Sequence, residues 1–425
     1  MKKITLDEWE KRYIVGPIER FEQKNVMFTR PMWDPEIKDL LQDWSITGMP
    51  RDKSGYTLED MALRWGSNAG TRMASIGRQN TNPSPERTPV LAAVSASNET
   101  RSSVIAVDSG ASASNRPGAF AAYRLPEGAK TDTSDIEKVT NMIKKAARWF
   151  GADLVGICKL DRRWLYAATP PDARPAVQET SDDFQYAVVM AYEMNYDLLK
   201  YYSTYITNSA TRMGYSRMAV TNAHLASFIR NLGFQAIESG NDTALSVPMA
   251  MQAGLGELGR NGILITPDFG PRIRLSKVIT DLPLLADTPI EFGVTEFCLA
   301  CEKCADSCPT RSIMTGDRTT EANNISNNPG VLKWPINAET CRTYWARAKR
   351  GGGCTACISC CPYNKPHTWP HRTVRWLTDH TRWADPLFVK GDDLLGYGKP
   401  RKPDDFWEEW QPGNGNGQNH RNNHR

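Results

Sequence analysis

The sequence predicts an α+β chain that ends in a separate cysteine-rich module. Helix and strand candidates alternate through the middle of the chain, which is typical of a layered α/β or α+β unit. Nine of the ten cysteines lie between Cys298 and Cys361. The residues after Gln411 are low in complexity, and we expect them to be disordered. These changes in composition predict four units, over residues 1–130, 131–290, 291–366 and 367–425.

The elements of the middle unit are predicted from hydrophobic spacing, capping residues and glycines. Ser134 is a suitable N-cap, and Glu137 three residues later completes a capping box. A second helix ends at Gly233, a residue type that commonly terminates helices. The predicted elements are helices over 131–150 and 222–232, strands over 152–157 and 186–192, a glycine-rich turn and apolar strand over 254–266, and a long loop over 77–118.

The charge of the chain is close to neutral. A net charge of +4 in 425 residues argues against a dedicated nucleic-acid surface, and so against a nucleic-acid partner. No apolar run approaches the ~20 residues that a bilayer-spanning helix needs. Residues 1–12 are polar and show neither a signal peptide nor a twin-arginine leader. We therefore expect either a cytoplasmic protein or one whose leader has been removed.

The cysteines follow a spacing typical of bacterial ferredoxins. Cys298, Cys301, Cys304 and Cys308 form a C-x2-C-x2-C-x3-C run that is closed by Pro309. In such a run three thiolates wrap one [4Fe–4S] cluster, and the fourth ligates the other cluster when two are present. An incomplete second run follows, with its first cysteine displaced upstream: Cys341, Cys354, Cys357, Cys361 and Pro362. We therefore predict a ferredoxin-like module with two [4Fe–4S] clusters.

Crosswise sharing assigns four cysteines to each cluster. One cluster is predicted on Cys298, Cys301, Cys304 and Cys361, and the other on Cys308, Cys341, Cys354 and Cys357. Cys360 is spare and could replace Cys361, but Cys361 precedes a proline, as Cys308 does. Zinc sites also use C-x2-C pairs, but eight cysteines in this order with two Cys-Pro endings fit zinc poorly.

The part of the chain outside the cysteine module is longer than a plain electron carrier requires, and this indicates a further cofactor. Gly254, Gly256 and Gly259 have the G-x-G-x-x-G spacing of a dinucleotide fingerprint. That fingerprint should follow a strand and open a helix, whereas these glycines precede an apolar strand. We therefore expect them to let the backbone approach another large planar cofactor.

From about Asn25 to Lys365 the sequence resembles the catalytic subunits of corrinoid-dependent reductive dehalogenases. The most specific stretches are IRNLGFQAIESGNDTALSVP, AGLGELGRNGILITPDFGPRIRLSKVITDLPL and FGVTEFCLACEKCADSCP. Epoxyqueuosine reductase is a more distant relative with the same cofactors, and it acts on transfer RNA. Such an enzyme should carry a basic surface, which the composition does not suggest. A similar transfer-RNA-modifying enzyme and a plain iron–sulfur electron carrier are the alternative functions.

The resemblance implies a nitroreductase-like α+β core that holds a base-off corrinoid. The residues that it places near the corrinoid are Thr243, Gly254, Gly256, Gly259, Arg260, Gly262 and Leu264. The sequence lacks the D-x-H-x-x-G motif that supplies a histidine below cobalt in other corrinoid proteins. His224 is the only histidine before the cysteine module, and we expect it to cap or pack within its helix. Without an imidazole ligand, low oxidation states of cobalt are easier to reach.

The reaction implied by the resemblance is RX + 2e⁻ + H⁺ → RH + X⁻, with a small organohalide as the substrate. Tyr215 in GYSRMA matches the proton donor of the family, Arg274 in GPRIRL matches its arginine partner, and Asn241 in SGNDT completes the set. A neighbouring arginine favours the phenolate and so eases proton delivery. Without the resemblance, these three residues would be interpreted as ordinary structural or turn residues.

Aromatic side chains are expected around the substrate, because halocarbons bind through dispersion and apolar burial. Phe28 and Trp65 are the predicted pocket residues, and Tyr344 and Trp345 are predicted to shield a cluster. The resemblance also implies an electron donor chain, a small integral membrane anchor protein and a homodimer as partners. It implies a location on the outer face of the cytoplasmic membrane after twin-arginine export.

Overall fold

The structure, a computed structural model, describes residues 1–40, 51–71, 130–167, 181–347, 353–366 and 381–408. The predicted loop over 77–118 and the tail after Gln411 lie outside these residues. No helix within the described ranges is long and apolar enough to cross a membrane.

The strands of the described residues form one central sheet and two small pairs. They are β1 (Lys2–Lys3), β2 (Leu154–Lys159), β3 (Tyr186–Glu193), β4 (Ala236–Ser239), β5 (Glu257–Leu258), β6 (Leu264–Ile265), β7 (Ile273–Thr280) and β8 (Ile290–Glu291). The central sheet is antiparallel, with the strand order β2-β3-β7-β4. The small pairs are β1 with β8 and β5 with β6.

Helices cover both faces of this sheet and build the cysteine module. They are α1 (Leu6–Tyr13), α2 (Pro35–Leu40), α3 (Leu58–Gly66), α4 (Ile136–Trp149), α5 (Tyr205–Asn231), α6 (Ser246–Gln252), α7 (Val294–Ala300), α8 (Lys303–Asp306), α9 (Ala338–Arg347), α10 (Ala356–Ser359) and α11 (Asp385–Leu394). Short 3-10 helices span Gln23–Asn25, Arg30–Met32, Arg162–Trp164, Leu198–Lys200, Arg382–Ala384 and Pro403–Asp405. The prediction of a mixed helix and strand fold is confirmed.

The two faces of the sheet have separate cores, because successive residues of a strand point to opposite faces. On one face, Val188 and Met190 of β3 pack with α4 and α5, for example with Ile143 and Leu225. On the other face, β3 packs with α6 and α1. The long central strand β7 therefore presents its side chains alternately to α5 and to α6. This alternation decides which residues of β7 reach the functional site.

The longest helix, α5, begins much earlier than the sequence predicts. It spans 27 residues, and it ends as predicted before Gly233, whose φ is +89°. Its first half buries polar side chains such as Thr207, Asn208 and Ser216, so the apolar spacing used for prediction is missing there. Asn208, Thr211 and Tyr215 of this helix line the functional site.

Three other predicted elements need small corrections. Asp135 is the N-cap of α4, because its side chain accepts from the backbone N–H of Lys138, whereas Ser134 bonds to Asp132. The predicted N-cap is therefore wrong by one residue, and the predicted capping box of Ser134 and Glu137 does not form. The predicted strand over 152–157 lies two residues later, as β2, and the 254–266 segment forms the β5–β6 pair instead of one strand.

The cysteine module packs beside the β5–β6 pair, and a C-terminal segment covers it. Ile265 of β6 shares an apolar cluster with Cys301 and Cys361, and Phe388 and Val389 of α11 pack against this cluster. The C-terminal segment continues across the back of the module, where Gly398 lies too close to Cys360 to carry a side chain.

Candidate functional site

A cavity of about 780 Å³ lies between α5, the start of β7 and the cysteine module. All three candidate catalytic residues line it, namely Tyr215, Asn241 and Arg274. Its volume is in the upper part of the ~300–1,000 Å³ range of small-molecule sites. Four of the predicted cluster ligands line the same cavity: Cys308, Cys341, Cys354 and Cys357. The fold therefore brings the candidate catalytic side chains and one cysteine group to a single space.

Tyr215 contacts both of the other candidate catalytic residues. The side-chain amide of Asn241 donates to the hydroxyl of Tyr215 at 3.4 Å. The guanidinium carbon of Arg274 lies 5.0 Å from the ring centroid of Tyr215. Arg274 also donates to the hydroxyl of Thr211 at 3.3 Å, while its buried Nε has no hydrogen-bond partner among the described residues. The buried Nε–H of this partly buried guanidinium is thus left for a ligand.

Helical spacing explains how α5 supplies its part of the cavity wall. Asn208, Thr211 and Tyr215 lie three to four residues apart, and all three line the cavity. Residues at this spacing share one face of a helix. Arg274 can reach this face because Gly214 has no side chain: a Cβ there would lie 2.8 Å from Cγ of Arg274. The sequence analysis did not single out Asn208 or Thr211, although their spacing from Tyr215 could have indicated both.

The two arginines of GPRIRL have different surroundings. Arg272 is fully buried and donates to Glu193 and to the backbone carbonyl of Lys365, so it ties the sheet to the cysteine module. Arg274 lies two residues later and reaches the cavity. The sequence assignment to Arg274, rather than Arg272, therefore agrees with their positions.

Gly262 alone of the predicted corrinoid residues lines the large cavity. Thr243, Gly254, Gly256, Gly259, Arg260 and Leu264 do not line it. Gly254 and Gly256 are required by contacts between protein segments, since a Cβ would lie 2.5 Å from the carbonyl oxygen of Thr288 or 2.1 Å from that of Ile265. Gly254 and Gly256 thus approach protein backbone. That Gly254, Gly256 and Gly259 also approach a planar cofactor stays a prediction.

Arg260 supports the cysteine module from within. Its side chain is buried, and its guanidinium donates to the carbonyl of Cys298 and to those of Met314 and Gly316. The guanidinium also lies over the ring of Trp334, 4.6 Å from its centroid. Arg260 therefore fixes the backbone at a predicted cluster ligand, a role different from the predicted contact with the corrinoid.

The aromatic residues divide into those that line the cavity and those that do not. Phe28, Tyr344 and Trp345 line it, and the rings of Phe28 and Trp345 lie 5.9 Å apart. Trp65 does not line the cavity: its ring lies against Arg64 and Arg212. The predicted shielding residues Tyr344 and Trp345 thus form part of the same wall as Phe28.

His224 does not line the cavity. Its ring packs against Phe150, with the centroids 5.4 Å apart, as expected for a histidine that packs at its helix. It is the single histidine in the part of the chain that the structure describes.

A second, smaller cavity is lined by four further cysteines. They are Cys298, Cys301, Cys304 and Cys361, which we call the first cysteine group. The second cysteine group is Cys308, Cys341, Cys354 and Cys357, at the large cavity. Both groups have the membership that crosswise sharing predicts. Within the described ranges, no three His, Cys, Asp or Glu side chains are placed to hold a single metal ion.

Burial decides the protonation of most of these thiols. Burial, with a smaller contribution from nearby cysteines, raises the pKa of Cys298 and of Cys341 to about 12. Cys308 differs: burial raises its pKa, but hydrogen bonds from Thr310 and Ser312 outweigh burial and lower the pKa below its usual value. Metal binding requires thiolates, so assembly of a metal centre here would release protons.

Cys360 lies outside the linings of both cavities. Its Sγ–H donates to the backbone carbonyl of Lys303 at 3.6 Å, and its side chain is buried between the two cysteine groups. The neighbouring Cys361 belongs to the first cysteine group. Of these two adjacent thiols, that of Cys361 therefore lines the smaller cavity, and that of Cys360 bonds to the backbone of Lys303.

Similar proteins are found by sequence and by structure. The tetrachloroethene reductive dehalogenase of Sulfurospirillum multivorans is 40% identical over 304 residues, which cover 65% of this chain and 60% of that protein. The one from Dehalobacter restrictus is 37% identical over 312 residues, covering 64% and 56%. The chain thus spans about three fifths of the length of these relatives. No family model matches the chain.

Two solved structures are similar over the same part of the chain. The catabolic reductive dehalogenase NpRdhA has 30% identity and a TM-score of 0.59, covering 64% of this chain and 38% of that one. A reductive dehalogenase structure that suggests a mechanism for B12-dependent dehalogenation has the same identity and TM-score, with 64% and 39% covered.

Proposed function

We propose that this chain, which is a homologue of the reductive dehalogenases, removes halide from a small organohalide by the reaction RX + 2e⁻ + H⁺ → RH + X⁻. The observation that carries the proposal is the large cavity, in which Tyr215, Asn241 and Arg274 face the second cysteine group. In the proposed reduction the substrate receives electrons and a proton. A cavity lined both by the proton donor Tyr215 and by cysteines that would bind a metal centre suits this reaction.

The two cysteine groups fit two [4Fe–4S] clusters in a ferredoxin-like module. Each group supplies four thiols around one cavity, and each combines three cysteines from one part of the sequence with one from the other. Cys361 joins the first run and Cys308 joins the second, as in the two-cluster ferredoxins. The buried carbonyl contacts of Arg260 would hold the loop at Cys298 in place.

The large cavity fits a corrinoid held by a nitroreductase-like core. Gly262 and Gly353 leave its wall without side chains, and buried polar atoms of three lining residues have no partner among the described residues: Gln23 Oε1, Arg274 Nε and Trp345 Nε1. Such donors and acceptors suit the amide groups around a corrin ring. When bound, the clusters supply single electrons, and the corrinoid supplies the metal at which the carbon–halogen bond is cleaved.

The protein residues hold the substrate and the proton. Asn241 donates to the oxygen of Tyr215, which leaves the hydroxyl hydrogen of Tyr215 free to point into the cavity. After that proton has left, the guanidinium of Arg274 over the ring stabilises the phenolate by its opposite charge. Phe28 and Trp345 offer an apolar wall, against which a halocarbon binds by dispersion.

The stoichiometry requires an external electron donor, because the chain itself supplies no net electrons. A donor protein, a small membrane anchor and a homodimer are proposals for this chain. Export to the outer face of the cytoplasmic membrane is a proposal as well.

Metal analysis combined with a halide-release assay tests the proposed function. Anaerobically purified protein is expected to contain about eight irons and one cobalt per chain, from two clusters and one corrinoid. The loaded protein should release halide from a chlorinated or brominated small molecule and should not act on transfer RNA. Zinc in place of iron, iron without cobalt, or no halide release from the loaded protein would contradict the proposal.

A further inference from the structure

The residue of interest is Lys277, a lysine in the middle of β7 with no exposed side-chain surface. In the sheet it is paired with Val189 of β3 on one side and with Ser239 of β4 on the other. Its side chain points to the α6 face, opposite to that of Arg274. Burying the ammonium of a lysine costs free energy unless the ammonium is hydrogen-bonded, so its partners indicate what the residue does.

All three N–H groups of the Lys277 ammonium go to one loop. We call residues 240–246, which run from the end of β4 to the first residue of α6, the Asn241 loop. The ammonium donates to the backbone carbonyl of Gly240 at 2.6 Å, to that of Ala244 at 2.9 Å and to the hydroxyl of Ser246 at 3.0 Å. An ammonium has three donors, so its hydrogen-bonding capacity is complete. The loop is therefore wrapped around a buried cation.

Other contacts hold the same loop from the outside. Tyr166 donates its hydroxyl to the carbonyl of Asn241 at 3.4 Å, and the side-chain amide of Gln23 donates to the carbonyl of Asp242 at 2.6 Å. Within the loop, the carboxylate of Asp242 accepts from the backbone N–H of Gly240 at 2.8 Å. Lys277 is the one of these partners that bonds to both ends of the loop, before and after Asn241.

We propose that Lys277 is a positioning residue for the catalytic site: it fixes the Asn241 loop so that the Asn241 side chain reaches the hydroxyl of Tyr215. The inference rests on the proposed function for its effect on turnover, but its structural part can be tested separately. Asn241 itself is exposed on the surface of the loop, so its own packing does not hold it in place. The position of its amide depends on the backbone that Lys277 binds.

A role in packing alone would not need a lysine. The neighbours of Lys277 on its face of β7 are Leu275 and Ile279, which belong to the apolar core with α6. Burial lowers the pKa of Lys277 to about 8, so the site costs energy that an apolar residue would not. The cost is offset by the three bonds to the loop, and the loop carries a candidate catalytic residue.

A double-mutant cycle tests the proposal in the full-length, cofactor-loaded protein. Lys277→Met keeps the length of the side chain and removes its donors. We expect turnover to fall by about 10²-fold, the size of effect that a small misplacement of a catalytic group can have. In a Lys277→Met/Asn241→Ala double variant, the fall should equal that of Asn241→Ala alone, because residues that act through each other are not additive. Additive losses would overturn the proposal.

Hydrogen–deuterium exchange supplies a readout that does not depend on activity. In Lys277→Met, the amides of residues 240–246 should exchange at least about tenfold faster, while those of 186–193 in β3 stay unchanged. Unchanged exchange over 240–246 would overturn the proposal even if turnover falls. Should Lys277→Met fail to fold, Lys277→Gln, which keeps one amide group, takes its place in both measurements.

The control is Lys144→Met, because Lys144 also binds a loop, through Asp287 at 2.6 Å, but outside the large cavity. It should leave both turnover and exchange over 240–246 unchanged. If loaded wild-type protein releases no halide, the proposed function fails, and the exchange measurement still decides whether Lys277 fixes the loop.

Discussion

Gly214 of α5 and Arg274 of β7 are packed so closely that no side chain fits between them. A Cβ at position 214 would lie 2.8 Å from Cγ of Arg274, well inside van der Waals contact. Cγ is the second atom of the side chain and cannot swing away as a terminal group can. The absence of a side chain in the middle of α5 therefore allows the guanidinium to lie against Tyr215.

Gly214→Ala is expected to lower turnover without loss of folding. Alanine in place of a helical glycine favours the helix by up to about 1 kcal/mol, which opposes the cost of the contact. The displaced Arg274 should lose its place over the Tyr215 ring, and turnover should fall at least about tenfold, as expected for a misplaced catalytic group. Gly66→Ala is the control, because open space surrounds Gly66. A fully active Gly214→Ala would show that the position of Arg274 is unimportant.

Tyr215→Phe should abolish most dehalogenation while iron and cobalt contents stay the same. The ring is kept, so packing changes little, and the proton is lost. General acid catalysis contributes ~10²–10⁴-fold, and the fall in turnover should be of that order. Turnover must be compared at equal cofactor content. A loaded Tyr215→Phe that turns over within a few-fold of wild type would mean that the proton comes from elsewhere.

Cys360→Ser should keep both clusters, whereas Cys361→Ser should lose or convert one. Cys361 lines the cavity of the first cysteine group, and Cys360 donates instead to the carbonyl of Lys303. Iron content and electron paramagnetic resonance spectra of the two variants distinguish them. Cluster loss in Cys360→Ser, with Cys361→Ser intact, would reverse the assignment.

The free energy of unfolding should fall as the pH rises towards neutrality, because of the buried carboxyl group of Glu257. Burial raises its pKa from 4.5 to about 7, and hydrogen bonds from the backbone N–H groups of Phe292 and Val294 oppose this shift only in part. The folded state therefore keeps a proton that the unfolded state loses between about pH 4.5 and 7. The protonated Glu257 stabilises the folded state below pH 4.5, and this contribution is lost as the pH rises through the range. The size of the pKa shift corresponds to up to about 3 kcal/mol of unfolding free energy.

Glu257→Gln should remove this dependence, because the amide oxygen can still accept both hydrogen bonds and does not titrate. Melting temperatures of wild type and variant should diverge as the pH is raised from 5 to 7.5, with the variant the more stable at the upper end. Glu296→Gln, which removes a carboxylate that raises the pKa of Glu257, should weaken the pH dependence only slightly. Parallel curves for Glu257→Gln and wild type would contradict the prediction.

Asp392→Asn should release α11 from the cysteine module. The buried carboxylate of Asp392 accepts from Lys303 and from Lys365. Removing one member of a buried ion pair costs ~3–5 kcal/mol, because charges are left uncompensated. Limited proteolysis should then cut near 385–394 faster. Asp393→Asn is the matched control: Asp393 also pairs with Lys303 but is 61% exposed, so its loss should have a small effect.

Cys-Pro endings and C-x2-C steps in the sequence predict two groups of four cysteines, and the two cavities are lined by the same two sets. That these thiols ligate two clusters stays a prediction. The trio of Tyr215, Asn241 and Arg274 came from resemblance to a family, since nothing in their local sequence distinguishes them from structural residues. The structure places the three side chains together.

The glycines of 254–262 show a limit of sequence reasoning. A glycine is required wherever the backbone makes a close approach, and the sequence does not say what is approached. Gly256 approaches the carbonyl of Ile265, a protein atom that its local sequence does not indicate. Lys277 and Thr211 were missed for a related reason: their roles depend on which segments the fold brings beside them.

The alternation of side chains along β7 limits how this chain can change its length. Arg274 and Lys277 are three residues apart and point to opposite faces, one to the cavity and one under the Asn241 loop. Inserting or deleting a single residue between them would turn one of the two to the wrong face, because the strand repeats every two residues. Natural or engineered length variation should therefore avoid 274–277 altogether, and variants that survive selection should change length outside β7.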